Sequence, residues 1–146
     1  KTIDSVGTSS WTDSSVKTGK TYYYKIKTVV KTQNGEQTSG FSNVKSAKAV
    51  PAKTTLKAKA SDAKNVKLTW SKVKGASGYE IYRSNSKDGK YSKVKTISKG
   101  STTSYKNGKL KKSTTYYYKI RAYRKVNGKK VYGNYSSVVS VKTKAK

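Results

Sequence analysis

Six residues, Thr-Tyr-Tyr-Tyr-Lys-Ile, occur twice in this chain, at Thr21–Ile26 and at Thr115–Ile120. The copies lie 94 positions apart, and the same offset relates Lys1-Thr2-Ile3 to Lys95-Thr96-Ile97, Phe41-Ser42 to Tyr135-Ser136 and Val44 to Val138. A period near the length of one small domain means tandem copies of one module. Lys1 corresponds to Lys95, whereas the second copy begins near Ala52, so the first copy starts at its middle. The expected organisation is the C-terminal half of a domain over residues 1–50 and a complete domain over residues 51–146. A half-domain of about 50 residues buries too little surface to stand alone. Tyr22, Tyr24 and Ile26 are therefore expected to need cover, from upstream residues of a longer chain or from strands of a neighbouring, identical copy.

Apolar and polar residues alternate at period two along the complete copy, with no helical stripe. Strands are expected at Thr55–Ala60, Val66–Trp70, Tyr79–Arg83, Tyr91–Ile97, Thr103–Tyr105, Thr115–Lys125 and Val131–Thr143. Between them lie a turn at Ser61–Asn65, a loop at Lys74–Gly78, an Asp88-Gly89 turn and an Asn127-Gly128 hairpin turn. Seven short strands of this kind predict an all-β antiparallel sandwich. The only proline, Pro51, sits in the short Val50–Thr54 connection between copies. With 32% hydrophobic residues and thirteen Tyr against one Phe, the core is expected to be narrow and lined by tyrosines. Trp70 falls in register with Val66 and Leu68 and so belongs to that core. Trp11 aligns with Tyr105 and is expected to pack as well.

The same composition argues against catalysis. Cysteine and histidine are absent, and the six acids, Asp4, Asp13, Glu36, Asp62, Glu80 and Asp88, are scattered without paired spacing. No cofactor or metal is expected. No apolar run approaches the roughly 20 residues needed to span a bilayer. The formal charge of +28 comes from 34 basic residues, of which only Arg83, Arg121 and Arg124 are arginine. Lysine is a hydrated point charge without arginine's planar fork, so this balance suits diffuse attraction to polyanions rather than base-specific readout of nucleic acid. The simpler role for such a surface is solubility and the blunting of strand edges.

Three segments carry a family resemblance: the Trp70 strand, Gly-Tyr-Glu-Ile-Tyr-Arg at Gly78–Arg83, and the run Leu110–Ala122. Together they resemble a fibronectin type III domain. The last run is similar to that family's tyrosine corner, which places Tyr116, and Tyr22 in the first copy, on the corner tyrosine. Val16 stands where Leu110 does, and Gly133–Ser136 and Gly40–Ser42 resemble the opening of the final strand. Lys112 departs from the family's usual proline, and no Arg-Gly-Asp triplet occurs, so integrin binding does not carry over. The lysine-rich style resembles modules of surface and secreted proteins of Gram-positive bacteria. That resemblance implies an extracellular, non-catalytic spacer, stalk or fibre module whose partners are neighbouring modules.

Beside Tyr22, Tyr116 and Trp70 as structural residues, one candidate surface emerges. Tyr23, Lys25 and Lys27, with their counterparts Tyr117, Lys119 and Arg121, alternate away from the core. Read functionally, they form an aromatic and basic face for anionic cell-wall polymer or glycan. Read structurally, they are cross-strand partners, with Glu80 opposite Lys119 or Arg121.

Overall fold

The computed structural model describes residues 10–146; Lys1-Thr2-Ile3, the first element of the repeat, and Asp4 lie outside the described residues. Every regular element described is a β-strand. The chain divides between Ala49 and Val50 into two compact units.

The first unit holds β1 (Thr21–Tyr24), β2 (Val29–Thr32), β3 (Gly35–Thr38) and β4 (Lys45–Lys48). Strand β1 pairs antiparallel with β4, and β2 with β3 across a tight hairpin in which Thr32 faces Gly35. Residues 25–28 leave the ladder. There Ile26 bonds to Ser42, donating its N–H to the hydroxyl at 3.1 Å and accepting the Ser42 N–H at 2.8 Å. Tyr22 and Tyr24 are partly buried, but Ile26 is 74% exposed. Trp11 is 47% exposed and touches Tyr24 edge-on, its ring centroid 6.5 Å away. The packing expected of Trp11 is thus not reached. Its counterpart Tyr105 is partly buried against a two-sheet core, and the described residues of the first unit contain no second sheet facing β1.

The second unit holds β5 (Leu56–Ala60), β6 (Val66–Trp70), β7 (Gly78–Ser84), β8 (Ser92–Ile97), β9 (Ser104–Asn107), β10 (Thr115–Val126), β11 (Lys129–Tyr132) and β12 (Val139–Lys142). One sheet runs β5-β6-β9. The other runs β8-β7-β10, with β11 and β12 both paired to β10, so they are two pieces of one last strand. The uninterrupted strand expected over Val131–Thr143 is therefore broken. At the break the Ser136 hydroxyl accepts the Ile120 N–H at 3.1 Å, and the Ser136 N–H bonds the Ile120 carbonyl at 2.7 Å. A side chain replaces one rung of the ladder, as Ser42 does for Ile26. Gly78, expected in a loop, opens β7 instead. A Cβ there would lie 2.0 Å from the Ile97 carbonyl oxygen, so only glycine lets the two strands approach.

Between the sheets lie Leu56, Val66, Leu68 and Trp70 from one side and Tyr79, Ile81, Tyr116, Tyr118, Ile120 and Ala122 from the other, all buried. Each fully buried aliphatic contributes about 1.5–3 kcal/mol by leaving water. The tyrosines need partners for their hydroxyls. Tyr118 donates to Asn107 Oδ1 at 2.9 Å, while Tyr79 accepts the Val73 N–H at 3.0 Å and donates to the Gly100 carbonyl at 3.2 Å. Burial pushes the Tyr118 hydroxyl up to about 12, despite the Arg83 guanidinium nearby. Trp70 stacks obliquely on Tyr79, with 5.4 Å between centroids, while its Nε1 is buried without a hydrogen-bond partner.

At the corners the two copies make the same hydrogen bond. Tyr116 accepts the Lys111 N–H on its hydroxyl at 3.0 Å, and Tyr22 accepts the Lys17 N–H at 2.9 Å. The turn before each tyrosine contains a left-handed residue, Ser113 at φ 51° and Gly19 at φ 91°. The two copies of the Thr-Tyr-Tyr-Tyr-Lys-Ile string thus lead out of equivalent corners.

Candidate functional site

Strand β10 alternates, so Tyr117, Lys119, Arg121 and Tyr123 leave the sandwich on the face away from the core. What they meet depends on sheet order. Strand β7 lies alongside, with Arg121 opposite Glu80 and Lys119 opposite Tyr82. On the other edge β11 brings Lys130 and Tyr132, the segment after it brings Tyr135, and beyond β7 comes β8 with Lys93.

These side chains close over Glu80, which is fully buried although it points away from the core. Its Oε2 accepts bonds from Arg121 Nη2 at 2.9 Å, Arg121 Nε at 3.3 Å and the Tyr82 hydroxyl at 2.8 Å. Its Oε1 accepts from Lys130 at 3.0 Å, the Tyr132 hydroxyl at 3.2 Å and Lys93 at 3.5 Å. Burial works to raise the carboxyl pKa, but the bonds from Arg121, Tyr82 and Lys130 outweigh it and hold the group at about 2. A buried carboxylate is tolerable only when saturated in this way.

The cations are in turn packed against rings. The Arg121 guanidinium lies 3.7 Å from the Tyr132 centroid, 4.9 Å from Tyr135 and 5.4 Å from Tyr82. Lys119 Nζ sits between Tyr91 at 4.3 Å and Tyr135 at 4.5 Å, and makes no ion pair among the described residues. Each such cation–ring pair adds roughly 0.5–2 kcal/mol, more when desolvated. The result is an aromatic and cationic layer outside the sheet, stitched by one carboxylate.

The candidate residues therefore divide. Lys119 and Arg121 are brought together with Tyr82, Tyr91, Tyr132 and Tyr135, while Tyr117 is partly buried beside them opposite Ser84 and Ser140. Arg121 is committed to Glu80, in the cross-strand pairing that was one of the two expectations. Tyr23, Lys25 and Lys27 form no comparable layer: Tyr23 is 73% exposed, and Lys25 and Lys27 lie outside any strand. Two contacts survive in both units, since Lys25 Nζ lies 3.9 Å and Lys27 Nζ 5.7 Å from the ring centroid of Phe41, the counterpart of Tyr135, which Lys119 and Arg121 meet in the second unit. Tyr82, Tyr91, Lys93, Lys130, Tyr132 and Tyr135 were not among the sequence candidates. The outward register of Tyr82 on β7 was readable; the others become neighbours only once the sheet order is known.

The hollows elsewhere on the unit are open to solvent. Among the described residues no three His, Cys, Asp or Glu side chains gather to hold a metal, and no helix is long and apolar enough to cross a membrane.

Solved structures place this geometry. A fibronectin type III-like protein from Clostridium thermocellum matches with 29% identity and a TM-score of 0.52, covering 65% of this chain and 92% of that one. The fibronectin type III domain of human KIAA0970 protein matches with 26% identity and a TM-score of 0.50, covering 66% and 72%. The FN1-FN3 domains of chicken CNTN1 match with 22% identity and a TM-score of 0.56 over 90% of this chain and 46% of that chain, more of this chain than its second unit alone can supply. No protein-family model matches the chain, and no curated protein matches it in sequence. The chain thus carries a fibronectin type III-like β-sandwich, a fold that generally serves as a non-catalytic module.

Proposed function

We propose that this chain is an architectural part of an extracellular, multi-domain bacterial protein, acting as a spacer, stalk or fibre module at or near the cell surface. The observation that carries the reading is the recurrence of one corner and one serine-closed strand break in both units, at Tyr22 and Ser42 and again at Tyr116 and Ser136. Repetition of a structural device, rather than of a catalytic group, is what an array of spacing modules requires. Its partners on this reading are neighbouring modules of the same or identical chains. The test is exchange within the parent protein. Replacing Val50–Lys146 with an unrelated β-sandwich of similar length should leave the parent's adhesion or activity intact. Loss of that activity in a parent protein that still folds and is still exported would refute the spacer role.

A second reading is that lysine- and tyrosine-rich strand faces hold anionic cell-wall polymer or glycan. Lys119 favours it, because its ammonium, positioned between Tyr91 and Tyr135, forms no ion pair among the described residues and keeps its charge for an incoming anion. On this reading one polyanion is retained above others at physiological salt. Equal retention of all of them, vanishing as salt rises, would count against it.

A further inference from the structure

The opposite outer face of the second unit is built in the contrary way. In the sheet β5-β6-β9, Leu56, Val66, Leu68 and Tyr105 turn toward the core, so Lys57, Lys59, Lys67, Thr69, Ser104 and Lys106 turn outward. The register aligns three of the lysines. Lys59 is the direct partner of Lys67 on β6, and Lys67 is the direct partner of Lys106 on β9. Adjacent strands lie about 4.8 Å apart, so three ammonium-bearing stems stand side by side across the sheet. Lys57 flanks the row, in register with Thr69 and then Ser104.

Like charges placed directly opposite each other destabilise a sheet. The other face shows how this chain relieves such crowding, with Glu80 gathering Arg121, Lys130 and Lys93. No ion pair of Lys59, Lys67 or Lys106 occurs among the described residues. Asp62, in the turn between β5 and β6, gives its carboxylate to the Lys64 N–H and the Asn65 amide, and acts on Lys106 through charge at a distance, without an ion pair. Nor does any of these lysines make a cation–ring contact among the described residues; Tyr105 on β9 is met instead by Lys95 from the other sheet, at 6.0 Å. A shallow hollow of about 300 Å³ runs beside the row, lined by Ser61, Lys67, Ser104, Tyr105 and Lys106.

We infer that the Lys59–Lys67–Lys106 row is a docking track for a flexible linear polymer bearing closely spaced phosphates. This rests on the second reading above and assigns it a face that the sequence candidates did not include. A tetrahedral phosphate offers oxygens in several directions and can bridge two neighbouring ammonium groups. The track contains no arginine, whose fork grips carboxylate and phosphate alike, so the choice of phosphate rests on bridging between neighbouring point charges. The hydroxyls of Thr69 and Ser104 stand beside the track as further donors. None of the outward residues of the track is aromatic, and Tyr105 beside the hollow turns toward the core, which disfavours the base stacking of single-stranded nucleic acid.

The test uses the full chain and inorganic polyphosphate, with affinity measured across a salt series. Every lysine–phosphate pairing removed lowers the log–log salt slope by roughly 0.7–0.9, so Lys59→Gln/Lys67→Gln/Lys106→Gln should lower it by about 2–3. The triple change Lys72→Gln/Lys74→Gln/Lys99→Gln, of equal charge at exposed loop positions, should change it far less. The track variant should also unfold at an equal or higher temperature, because it removes repulsion. Equal effects of the two triple variants, an unchanged slope, or destabilisation of the track variant would each overturn the assignment. So would tighter binding of single-stranded DNA than of polyphosphate. If Lys119→Gln abolishes binding while the track variant does not, the binding reading stands and this track falls. If wild type fails to bind polyphosphate or any other polyanion, both fall.

Discussion

Glu80 is the residue on which the outer layer turns, and its chemistry gives a pH signature. Its carboxyl is held at about 2 in the folded chain against an ordinary value of 4.5. A depressed pKa means the charged form is favoured by folding. The resulting stability is complete above the ordinary value and is lost as pH falls through the folded one. The difference corresponds to about 3 kcal/mol. Glu80→Gln leaves Arg121 and Lys130 without their counter-charge and should cost a similar amount at neutral pH, about 3 kcal/mol. Denaturant midpoints followed by tryptophan fluorescence from pH 6 down to pH 2 should converge for wild type and variant, because the unfolded carboxyl takes up its proton near 4.5 while the native one stays charged down to about 2. Curves that stay parallel would show that the ring of cations gains nothing from the charge. Other depressed acids such as Asp62 titrate in both proteins and cancel in the comparison.

At the scale of elements, the hairpin between β10 and β11 isolates backbone conformation from packing. Asn127 at φ 49° and Gly128 at φ 76° are both left-handed, the geometry whose twist matches that of the flanking strands. A Cβ on Gly128 would meet nothing within 4 Å, so Gly128→Ala incurs only the left-handed penalty, about 1 kcal/mol. Gly78→Ala, whose Cβ would overlap the Ile97 carbonyl, should cost several times more; equal losses in thermal denaturation would refute this division. These two glycines also mark what the sequence disclosed. Asn127-Gly128 announces its own turn through local chemistry, as period two announces β6 and β10. Gly78 does not, because its need for a missing side chain arises from β8, distant in the chain. The break before Ser136 was hidden for a similar reason, since a hydroxyl took over a backbone rung. The outward lysines and tyrosines were legible as outward. Which of them became neighbours was not, because adjacency across three strands is a property of sheet order and register. Hence Arg121 was paired correctly in kind, while Lys93, Lys130 and the lysine row emerged only from the fold.

Over the whole molecule, the two units share local devices but not the means of keeping them closed. In the second unit the corner tyrosine sits over a two-sheet core, and Val66, Leu68, Ile81 and Ile120 are wholly buried. In the first, every residue from Lys25 to Lys48 is exposed, and Ile26, Val30, Phe41 and Val44 are each more than half exposed. Backbone hydrogen bonds that face water on both sides of a hairpin contribute little against the entropy of ordering it. The formal charge of +28 works in the same direction, because lysines crowded on thin strands repel without a core to oppose them. Local opening should therefore span a wide range of free energies within one chain. In native-state hydrogen exchange, amides of β6, β7 and the middle of β10 should exchange only through global unfolding of their unit. Those of β2 and β3 should exchange close to the rate of an unstructured peptide. Adding salt should slow the second group more than the first, since screening relieves exposed lysines while the Glu80 pairs stay shielded. Protection of β2 and β3 equal to that of β10 would mean that the first unit is closed by a surface other than its own described strands.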